Sequence, residues 1–379
     1  MNISEPKWRQ NSSSRYQSSR SGVRPLRLAG VVVVKVVFVL LLWITLSACS
    51  SIRWYGQAVE GQVDLLTRRE HIADLLADPS TDPLLVQRLS QVLKVREFAV
   101  AEVGLPSSRS YRHYADLERS AAVWNVIAAG PYSVDPLTWC YPIAGCVAYR
   151  GYFDLGDAQA QASKLAADGL DVIVSPAIAY STLGWFDDPV LNTMLRWEDA
   201  DLAGFLFHEL AHEAVYVKGD TAFNEAYAST VERIGVERWL QAAGDESALQ
   251  GWRERRQRRD RLGELLLKAR EDLRQGYAER LGDKQALEEF KAQRFVQLSA
   301  DLIALSGRLA MPGQGRGARP PLNNATLALT ATYREGIQAF EELFDACAGS
   351  MPCFHEEVRA LAESTPEERA EFLRPNSNR

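Results

Sequence analysis

Two histidines and a glutamate form the strongest chemical signal in the chain. His208-Glu209-Leu210-Ala211-His212 has the pattern His-Glu-x-x-His, and the chain has only five histidines in 379 residues. Residues four apart lie on one face of a helix, so both imidazoles can bind one metal ion. Glu209 follows the first ligand and can act as general base on a water at that ion. The pattern therefore predicts one Zn²⁺ and a hydrolytic reaction.

Apolar residues around this motif predict a buried helix, because Leu202, Leu206 and Leu210 recur at helical spacing. Asp199 or Asp201 is expected to cap its first turn. The motif alone leaves an alternative, in which both histidines are buried in a core helix and only form hydrogen bonds.

A second helix is predicted to begin near Thr221 or Ala222, after turn-forming residues. Glu225 would lie in its first turn and can point back toward the histidine pair. The pattern Asn-Glu-x-x-Ala at this point resembles the third-ligand helix of the gluzincin metallopeptidases. That resemblance implies Glu225 as the third zinc ligand and leaves Glu232 available to orient a ligand histidine. The alternative for Glu225 is a solvated carboxylate favoured by the helix dipole.

The first part of the chain predicts an export signal. A basic stretch precedes the apolar run from Val31 to Leu46, which is followed by Ser47-Ala48-Cys49. This ending resembles the lipobox of bacterial lipoproteins, which implies a signal peptide over residues 1–48 and a lipid anchor on Cys49. Ser50 after the cysteine implies the outer membrane, with the remaining chain facing the periplasm. The alternative is an uncleaved signal anchor, since this segment is almost long enough to span a bilayer.

The other four cysteines occur as two close pairs. Cys140 is near Cys146, and Cys347 is near Cys353. In an oxidising compartment these pairs predict two short-loop disulfides. A structural zinc site is the alternative, but neither spacing matches the short intervals of zinc knuckles.

The spacing of apolar residues and the positions of glycine and proline predict an α+β fold that is predominantly helical. We expect a helical hairpin near the anchor over residues 49–110, a catalytic core over 111–245, and a helical C-terminal region over 246–379 that completes the cleft. The individual elements predicted are helices over Arg53–Ala77, Pro83–Val103 and Asp157–Gly169, strands within Tyr111–Phe153 and over Asp171–Ser175, a short helical piece over Val190–Leu195, a charged helical hairpin over Gln250–Ser306, and a helix over Thr326–Cys347.

Composition is typical of a globular protein, with 46% hydrophobic and 24% charged residues. The net charge of −6 gives no general case for nucleic-acid binding. One basic cluster, Arg253 to Arg259, has interleaved acidic residues, which favours the solvated face of a helix. Contact with anionic lipid head groups is the alternative for that cluster.

Several segments together resemble one family, the zinc aminopeptidases of proteobacterial lipoproteins. The resemblance runs from Trp54 to the C-terminal helix and implies a zincin-like metallopeptidase fold with a small mixed sheet beside the metal-site helices. It also implies a peptide substrate. The segments that carry it are the lipobox, Trp139–Cys146, Tyr149–Phe153, Ser181–Asp188, the His-Glu-x-x-His motif, Phe223–Ala226 and Leu322–Ala325.

The same resemblance implies residues on the substrate side of the site. By analogy with gluzincins, Tyr180 and Trp185 edge the cleft, and Tyr333 supplies a second electrophile beside the metal. Asn323 and Asn324 are candidates to bind substrate. For Tyr180, Trp185 and Tyr333, plain packing is the alternative. The amine-binding segment Gly-x-Met-Glu-Asn of the aminopeptidase N type does not occur in the chain, which leaves aminopeptidase and endopeptidase activity open.

Two main functions follow from the sequence. The first is a lipid-anchored zinc peptidase, with aminopeptidase activity the leading form. The second is an envelope-assembly or scaffold lipoprotein whose zinc site is structural or serves one dedicated partner. Hydrolysis of a non-peptide bond is a third reading. Three predicted protein ligands together with Glu209 favour an enzyme, because a catalytic zinc keeps one position for water whereas a structural zinc usually has four protein ligands.

Overall fold

The computed structural model of the chain describes residues 54–141, 145–180, 187–306, 322–332 and 336–374. Contacts divide the chain into Met1–Tyr55 and Gly56–Arg379. The predicted signal peptide and Cys49 lie outside the described residues. Within the described ranges, no helix combines the length and apolar character that a membrane crossing requires.

The protein is mostly helical (64%) and carries small sheets, which confirms the predicted α+β class. The helices are residues 54–67 (α1), Ile72–Ala77 (α2), Pro83–Ala101 (α3), Leu155–Ala167 (α4), Asp199–Ala214 (α5), Thr221–Ala243 (α6), Glu246–Glu279 (α7), Lys284–Ser306 (α8), Asn324–Thr332 (α9), Ile337–Ala346 (α10), Met351–Ala362 (α11) and Pro366–Phe372 (α12), with a 3₁₀ turn at Met194–Arg196. The strands are Glu70–His71 (β1), His113–Ala115 (β2), Val123–Ala129 (β3), Trp139–Tyr141 (β4), Gly145–Val147 (β5), Arg150–Tyr152 (β6), Asp171–Ala177 (β7) and Val190–Leu191 (β8).

The described strands form three small sheets. In the first, β3 lies between β6 and β7 and is antiparallel to both, so β6 and β7 run in the same direction. Ile127 and Ala129 on β3 and Ile173 on β7 pack against Ala325 and Ala328 of α9. The second sheet is mixed, since β2 is antiparallel to β1 and parallel to β8. The third is the β4–β5 hairpin.

Two predicted helices are interrupted by strand pairing. The helix expected over Arg53–Ala77 ends at residue 67, and β1 then pairs with β2 before α2 begins. The helical piece expected over Val190–Leu195 instead begins as β8, which pairs with Tyr114 and Ala115. In both cases backbone partners far along the chain override the local helical pattern.

The helix expected over Thr326–Cys347 is also two helices, α9 and α10. Gly336 precedes α10 with a φ of 89°, a left-handed conformation that glycine adopts without steric cost. The cap expected at α5 is different too, because Glu198 occupies the N-cap position without a side-chain cap. Asp199 and Asp201 lie in the first turn, where they form ion pairs with Arg88 and Arg259 and complement the helix dipole.

Helix α5 lies at the centre of the largest hydrophobic core. Its residues Leu202, Leu206 and Phe207 are fully buried, and they pack in one cluster with residues of α3 and α6. This burial along successive turns explains why the segment is helical, since its apolar residues recur on the face that the core covers.

Two glycines bring α5 and α6 close together. A methyl group on Gly235 of α6 would lie 2.5 Å from Cδ2 of Phe207 on α5. A methyl group on Gly204 of α5 would lie 3.1 Å from Cγ2 of Val236 and 3.2 Å from Cγ of Glu232, both on α6. Each helix therefore lacks a side chain where the other presents one, and the two backbones approach closely.

The basic cluster on α7 forms ion pairs with neighbouring helices. Its arginines all lie within 4.0 Å of a carboxylate, and several of those carboxylates belong to α5, α6 and α10 or precede them directly. The pairs are Arg253–Glu237, Arg255–Glu198, Arg256–Glu341, Arg258–Glu254 and Arg259–Asp201. The cluster therefore helps to hold α7 against these helices, a role that a merely solvated face would not have.

Both cysteine pairs are joined in the structure. Cys140 and Cys146 face each other across the β4–β5 hairpin and form one disulfide. Cys347, which follows α10 directly, is joined to Cys353 in α11.

The contact at Gly235 yields a stability prediction. We expect Gly235→Ala to lower the free energy of unfolding by about 1–3 kcal/mol, because the fully buried ring of Phe207 has no space to move away. Gly251→Ala in α7 is the matched control, since its methyl group would meet only Arg255 Nη1, at 3.6 Å. Urea unfolding of both variants measures the difference, and equal stability would contradict the tight contact between α5 and α6.

Candidate metal centre

Helix α5 presents His208 and His212 on one side of its last two turns. Their Nε2 atoms lie 3.2 Å apart, and the two rings meet edge to face. The neighbours Phe207 and Leu210 are buried in the core, which fixes the rotation of the helix. His212 is buried and His208 is 15% exposed, so the pair lies at the boundary between core and solvent.

A short turn returns the chain from α5 to α6. Asn224 donates its amide to the carbonyl of Val217 and accepts the Val217 N–H, both at 2.8 Å. Asp220 caps α6 by accepting the N–H of Phe223 and receives Arg369 Nε of α12 at 2.7 Å. These bonds fix the first turn of α6, which is the turn that carries Glu225.

Glu225 completes a triangle of potential ligand atoms. Its Oε2 lies 3.3 Å from Nε2 of His208, and its Oε1 lies 3.7 Å from Nε2 of His212. His208, His212 and Glu225 are the only group of three or more such side chains within 4.8 Å of one another in the described ranges. Zinc–nitrogen bonds of about 2.1 Å in a tetrahedral site separate the ligand atoms by about 3.4 Å, which these spacings match.

The triangle also contains unsatisfied polar atoms. Oε2 of Glu225 and Nδ1 of His212 are buried and form no hydrogen bond in the described structure, although Oε2 lies 3.3 Å from Nε2 of His208 in an ion-pair contact. Burying a carboxylate oxygen without a partner costs free energy, and a bound cation would remove that cost at Glu225. The donor set and the orphaned oxygen therefore both fit a divalent metal ion.

Glu232 approaches His208 from the opposite side of the ring. Its Oε2 lies 3.3 Å from Nδ1, so Nε2 remains directed toward His212 and Glu225. A carboxylate at the second nitrogen of a ligand histidine fixes its tautomer and raises its basicity. Gly204 leaves the space that Glu232 occupies, since a methyl group there would be only 3.2 Å from Cγ of Glu232.

The charges in the site favour a cation. Burial alone would lower the pKa of His208, but contacts with Glu225 and Glu232 raise this pKa well above its ordinary value. Burial and the nearby His208 lower the pKa of His212 to about 4. Burial opposes ionisation of Glu225, but its contact with His208 outweighs this and lowers the carboxyl pKa. Without metal the centre thus holds one proton on His208 among ionised carboxylates.

Site carboxylates act electrostatically on two tyrosines from different parts of the chain. Burial first, and then the charges of Glu225 and Glu209, raise the pKa of Tyr149 to about 12. Tyr149 precedes β6, and Tyr216 follows α5 with its ring 6.3 Å from that of His212. Glu209 and Glu225 therefore both act electrostatically on the Tyr149 hydroxyl.

Sequence reasoning did not identify Tyr149 or Tyr216 as site residues. Tyr149 occurred only within a segment that carried the family resemblance. Tyr216 is four residues beyond His212, a spacing that would have signalled a neighbour if the helix had continued.

The predicted substrate residues have different outcomes. Tyr180 is half-buried and packs its ring 5.4 Å from that of Phe153, and burial and then Asp188 raise its pKa. Trp185 and Tyr333 lie outside the described residues.

The prediction that Asn323 and Asn324 bind substrate stays a prediction, and the structure shows both side chains in internal hydrogen bonds. Asn324 is fully buried and donates to the carbonyls of Gly130 and Pro131, while its side-chain oxygen accepts from Tyr277. Asn323 donates to the carbonyl of Val172. Both side chains attach α9 to the sheet and to α7, and their polar atoms are used internally.

Comparison with known proteins adds one finding to this geometry. A family model described as Putative aminopeptidase matches residues 53–373, which includes every residue of the triangle. Neither the curated proteins nor the solved structures contain a match. The family description supports peptidase activity. The match covers most of the length of the chain, and the chain therefore belongs to the Putative aminopeptidase family.

Proposed function

We propose that the protein is a zinc-dependent peptidase with a zincin-like catalytic core. One Zn²⁺ would be held by His208, His212 and Glu225. The observation that carries the proposal is the convergence of these three ligand atoms, with Glu209 on the same helix as the histidines. Membership of an aminopeptidase family supports a peptide substrate.

The proposed chemistry divides between the ion and the protein. A bound Zn²⁺ supplies Lewis-acid polarisation of the carbonyl and a lower pKa for water. Glu209 accepts the proton of the attacking water and passes it to the departing amine. Glu209 lies on α5 with the two histidines, and its charge contributes with that of Glu225 to the raised pKa of Tyr149. Glu232 holds His208 with Nε2 directed at the ligand triangle.

An enzyme is favoured over a structural zinc protein because the described centre offers three protein ligands. The side chains of His208 and Glu225 retain 15% and 18% exposure, so the centre lies at the edge of the core. The envelope-assembly or scaffold role remains the competing function, and it requires no turnover.

We further propose that the protein is exported and held in the cell envelope by a lipid on Cys49, facing the periplasm. The lipobox-like end of the apolar run supports this location. The two disulfides also support it, because such bonds persist in oxidising compartments.

Replacing the proposed base tests the reaction. We expect Glu209→Gln to retain stoichiometric zinc and to lose at least about 10²-fold in kcat on peptides, because the amide cannot accept the proton of water. Zinc content is measured by atomic absorption, and turnover is measured on matched peptides with free and acetylated N-termini.

Each result of this experiment distinguishes the proposed functions. Cleavage of only the free peptides identifies an aminopeptidase, and cleavage of acetylated peptides identifies an endopeptidase. Equal turnover by wild type and Glu209→Gln would refute the mechanism. A wild type that holds zinc without cleaving any peptide would support the scaffold role.

The Glu232 contact yields a prediction about metal affinity. We expect Glu232→Ala to weaken Zn²⁺ binding by about 10- to 100-fold, because His208 loses the carboxylate that orients it. Glu237→Ala is the matched control on the same helix, since Glu237 pairs with Arg253 away from the centre. Competition with a fluorescent chelator measures both affinities, which should differ clearly if Glu232 orients the ligand.

Proton binding at His208 predicts a pH dependence of metal affinity. Since the pKa of His208 is raised, this side chain is protonated at neutral pH and must lose its proton to bind a metal. His212, with a pKa of about 4, and ionised Glu225 need no such change. Affinity for Zn²⁺ should therefore fall about tenfold when the pH falls from 7 to 6. Calorimetry in buffers of different ionisation enthalpy should show release of about one proton, and no release would contradict the assignment.

A further inference from the structure

Helix α1 presents two large apolar side chains to solvent, Val59 and Val63, which we call the α1 valine pair. Val59 is 63% exposed and Val63 is 52% exposed. The two residues are four apart, so their side chains lie on one face of the helix on successive turns. Single apolar residues are normal on a protein surface, whereas an aligned pair on one helix face is a candidate contact surface.

The other face of α1 is fixed to strand β6. The Gln57 amide donates to the carbonyl of Gly151 at 3.4 Å and accepts the N–H of Phe153 at 3.0 Å. Gly61 lies directly against that phenylalanine, because a methyl group on it would be 2.1 Å from Cγ of the ring. Leu65, one turn further, is buried in the main core. The α1 valine pair is offset from these contacts by two residues, or about 200° around the helix, so α1 cannot rotate to bury it.

The sequence places this helix close to the proposed lipid attachment. Nine residues separate Cys49 from Val59. An extended chain spans at most about 3.6 Å per residue and a helix rises about 1.5 Å per residue, so Val59 lies within roughly 25 Å of Cys49. Trp54 and Tyr55 occur in the same interval, and these residue types are enriched where protein meets the membrane–water interface. An acylated protein therefore keeps the α1 valine pair within reach of the bilayer.

The length and charge of α1 fit a helix that lies on lipid. The helix covers residues 54–67 and is about 21 Å long, which is less than the hydrocarbon thickness of about 30 Å. Asp64 and Arg68 form an ion pair at 2.7 Å, so their charges largely cancel at this end of the helix. Contact with lipid would therefore come from burial of apolar surface, with little contribution from the charge of the head groups.

We propose that the α1 valine pair lies on the surface of the lipid bilayer in which Cys49 is anchored. This assignment rests on the proposed lipid anchor and is independent of the proposed peptidase reaction. The anchor supplies a high effective concentration of lipid, so a small apolar surface is sufficient for a second contact. Because the opposite face of α1 is fixed to β6, this second contact would hold the folded protein in one orientation to the membrane.

The test measures whether lipid touches the valine pair. Val59→Cys and Val63→Cys are each labelled with the environment-sensitive fluorophore NBD, and the acylated protein is purified from membranes. Each is reconstituted in vesicles of phosphatidylethanolamine and phosphatidylglycerol, with or without lipids that carry a doxyl quencher near the head-group end of the acyl chain. Val296→Cys is the matched control, since Val296 lies on α8 and is 72% exposed. Mass spectrometry records acylation of Cys49, and thermal midpoints confirm folding.

We expect the doxyl lipids to quench the label at positions 59 and 63 at least about twofold, because the valine positions would reach the boundary between head groups and acyl chains. The label at position 296 should keep its fluorescence. Quenching should also be unchanged when phosphatidylcholine replaces phosphatidylglycerol, since the proposed contact is apolar. Two labelled positions keep the test decisive if one variant fails to fold.

Four results would overturn the assignment. Unquenched labels at positions 59 and 63 in an acylated protein would overturn it and leave the lipid anchor intact. Equal quenching at position 296 would indicate adsorption of the whole protein without a preferred face. A blue shift at positions 59 and 63 without quenching would identify a second copy of the chain as the occupant. A protein without a lipid on Cys49 would refute the proposed anchor, and with it this surface.

Discussion

The close contact between α5 and α6 determines the geometry of the candidate centre. Gly235 admits the ring of Phe207, and Gly204 admits Val236 and the stem of Glu232. A methyl group at Gly235 or Gly204 would lie 2.5 or 3.1 Å from a side chain of the other helix, so the close approach depends on both glycines. Two ligand atoms come from α5 and the third comes from α6, so the distances of 3.3 and 3.7 Å from Glu225 to the two histidines depend on this separation. The packing of two helices thus determines whether three side chains can share one ion.

Carboxylates lie at the centre, and arginines of α6 and α7 act on one of them from outside. Glu225 and Glu232 lie on either side of His208, so the centre is negative unless it holds a cation or a proton. The pKa of Glu232 is lowered in spite of its burial, first by its contact with His208 and then by the charges of Arg259 and Arg233. Arg259 belongs to the basic cluster of α7, which also forms ion pairs with helices on either side. The positive charge of Arg259 on α7 therefore stabilises the ionised form of Glu232, which contacts His208. The basic cluster has both a packing and an electrostatic role.

The parts of the centre that sequence could predict are those that local spacing determines. His208, Glu209 and His212 share a helix, and Glu225 follows one short turn, so helical geometry alone brings these side chains close together. The strands at Glu70–His71 and Val190–Leu191 were not predictable in the same way, because each exists only through pairing with β2. The internal hydrogen bonds of Asn323 and Asn324 were not predictable for a similar reason, since their partners lie 151 and 194 residues earlier in the chain. Tyr149 carries no local signal, because it lies 60 residues before Glu209 in the chain.

The ion pair between Asp220 and Arg369 joins the metal-ligand helix to α12, across 149 residues of sequence. Asp220 uses one oxygen to cap α6 and the other to receive the buried guanidinium. The turn that carries Glu225 is therefore completed by a helix that leaves the ribosome after all of the ligands. During synthesis or export the two histidines exist before their third partner is held in place. The metal centre is therefore complete only after the C-terminal helix has packed, and a chain without that helix would bind metal poorly.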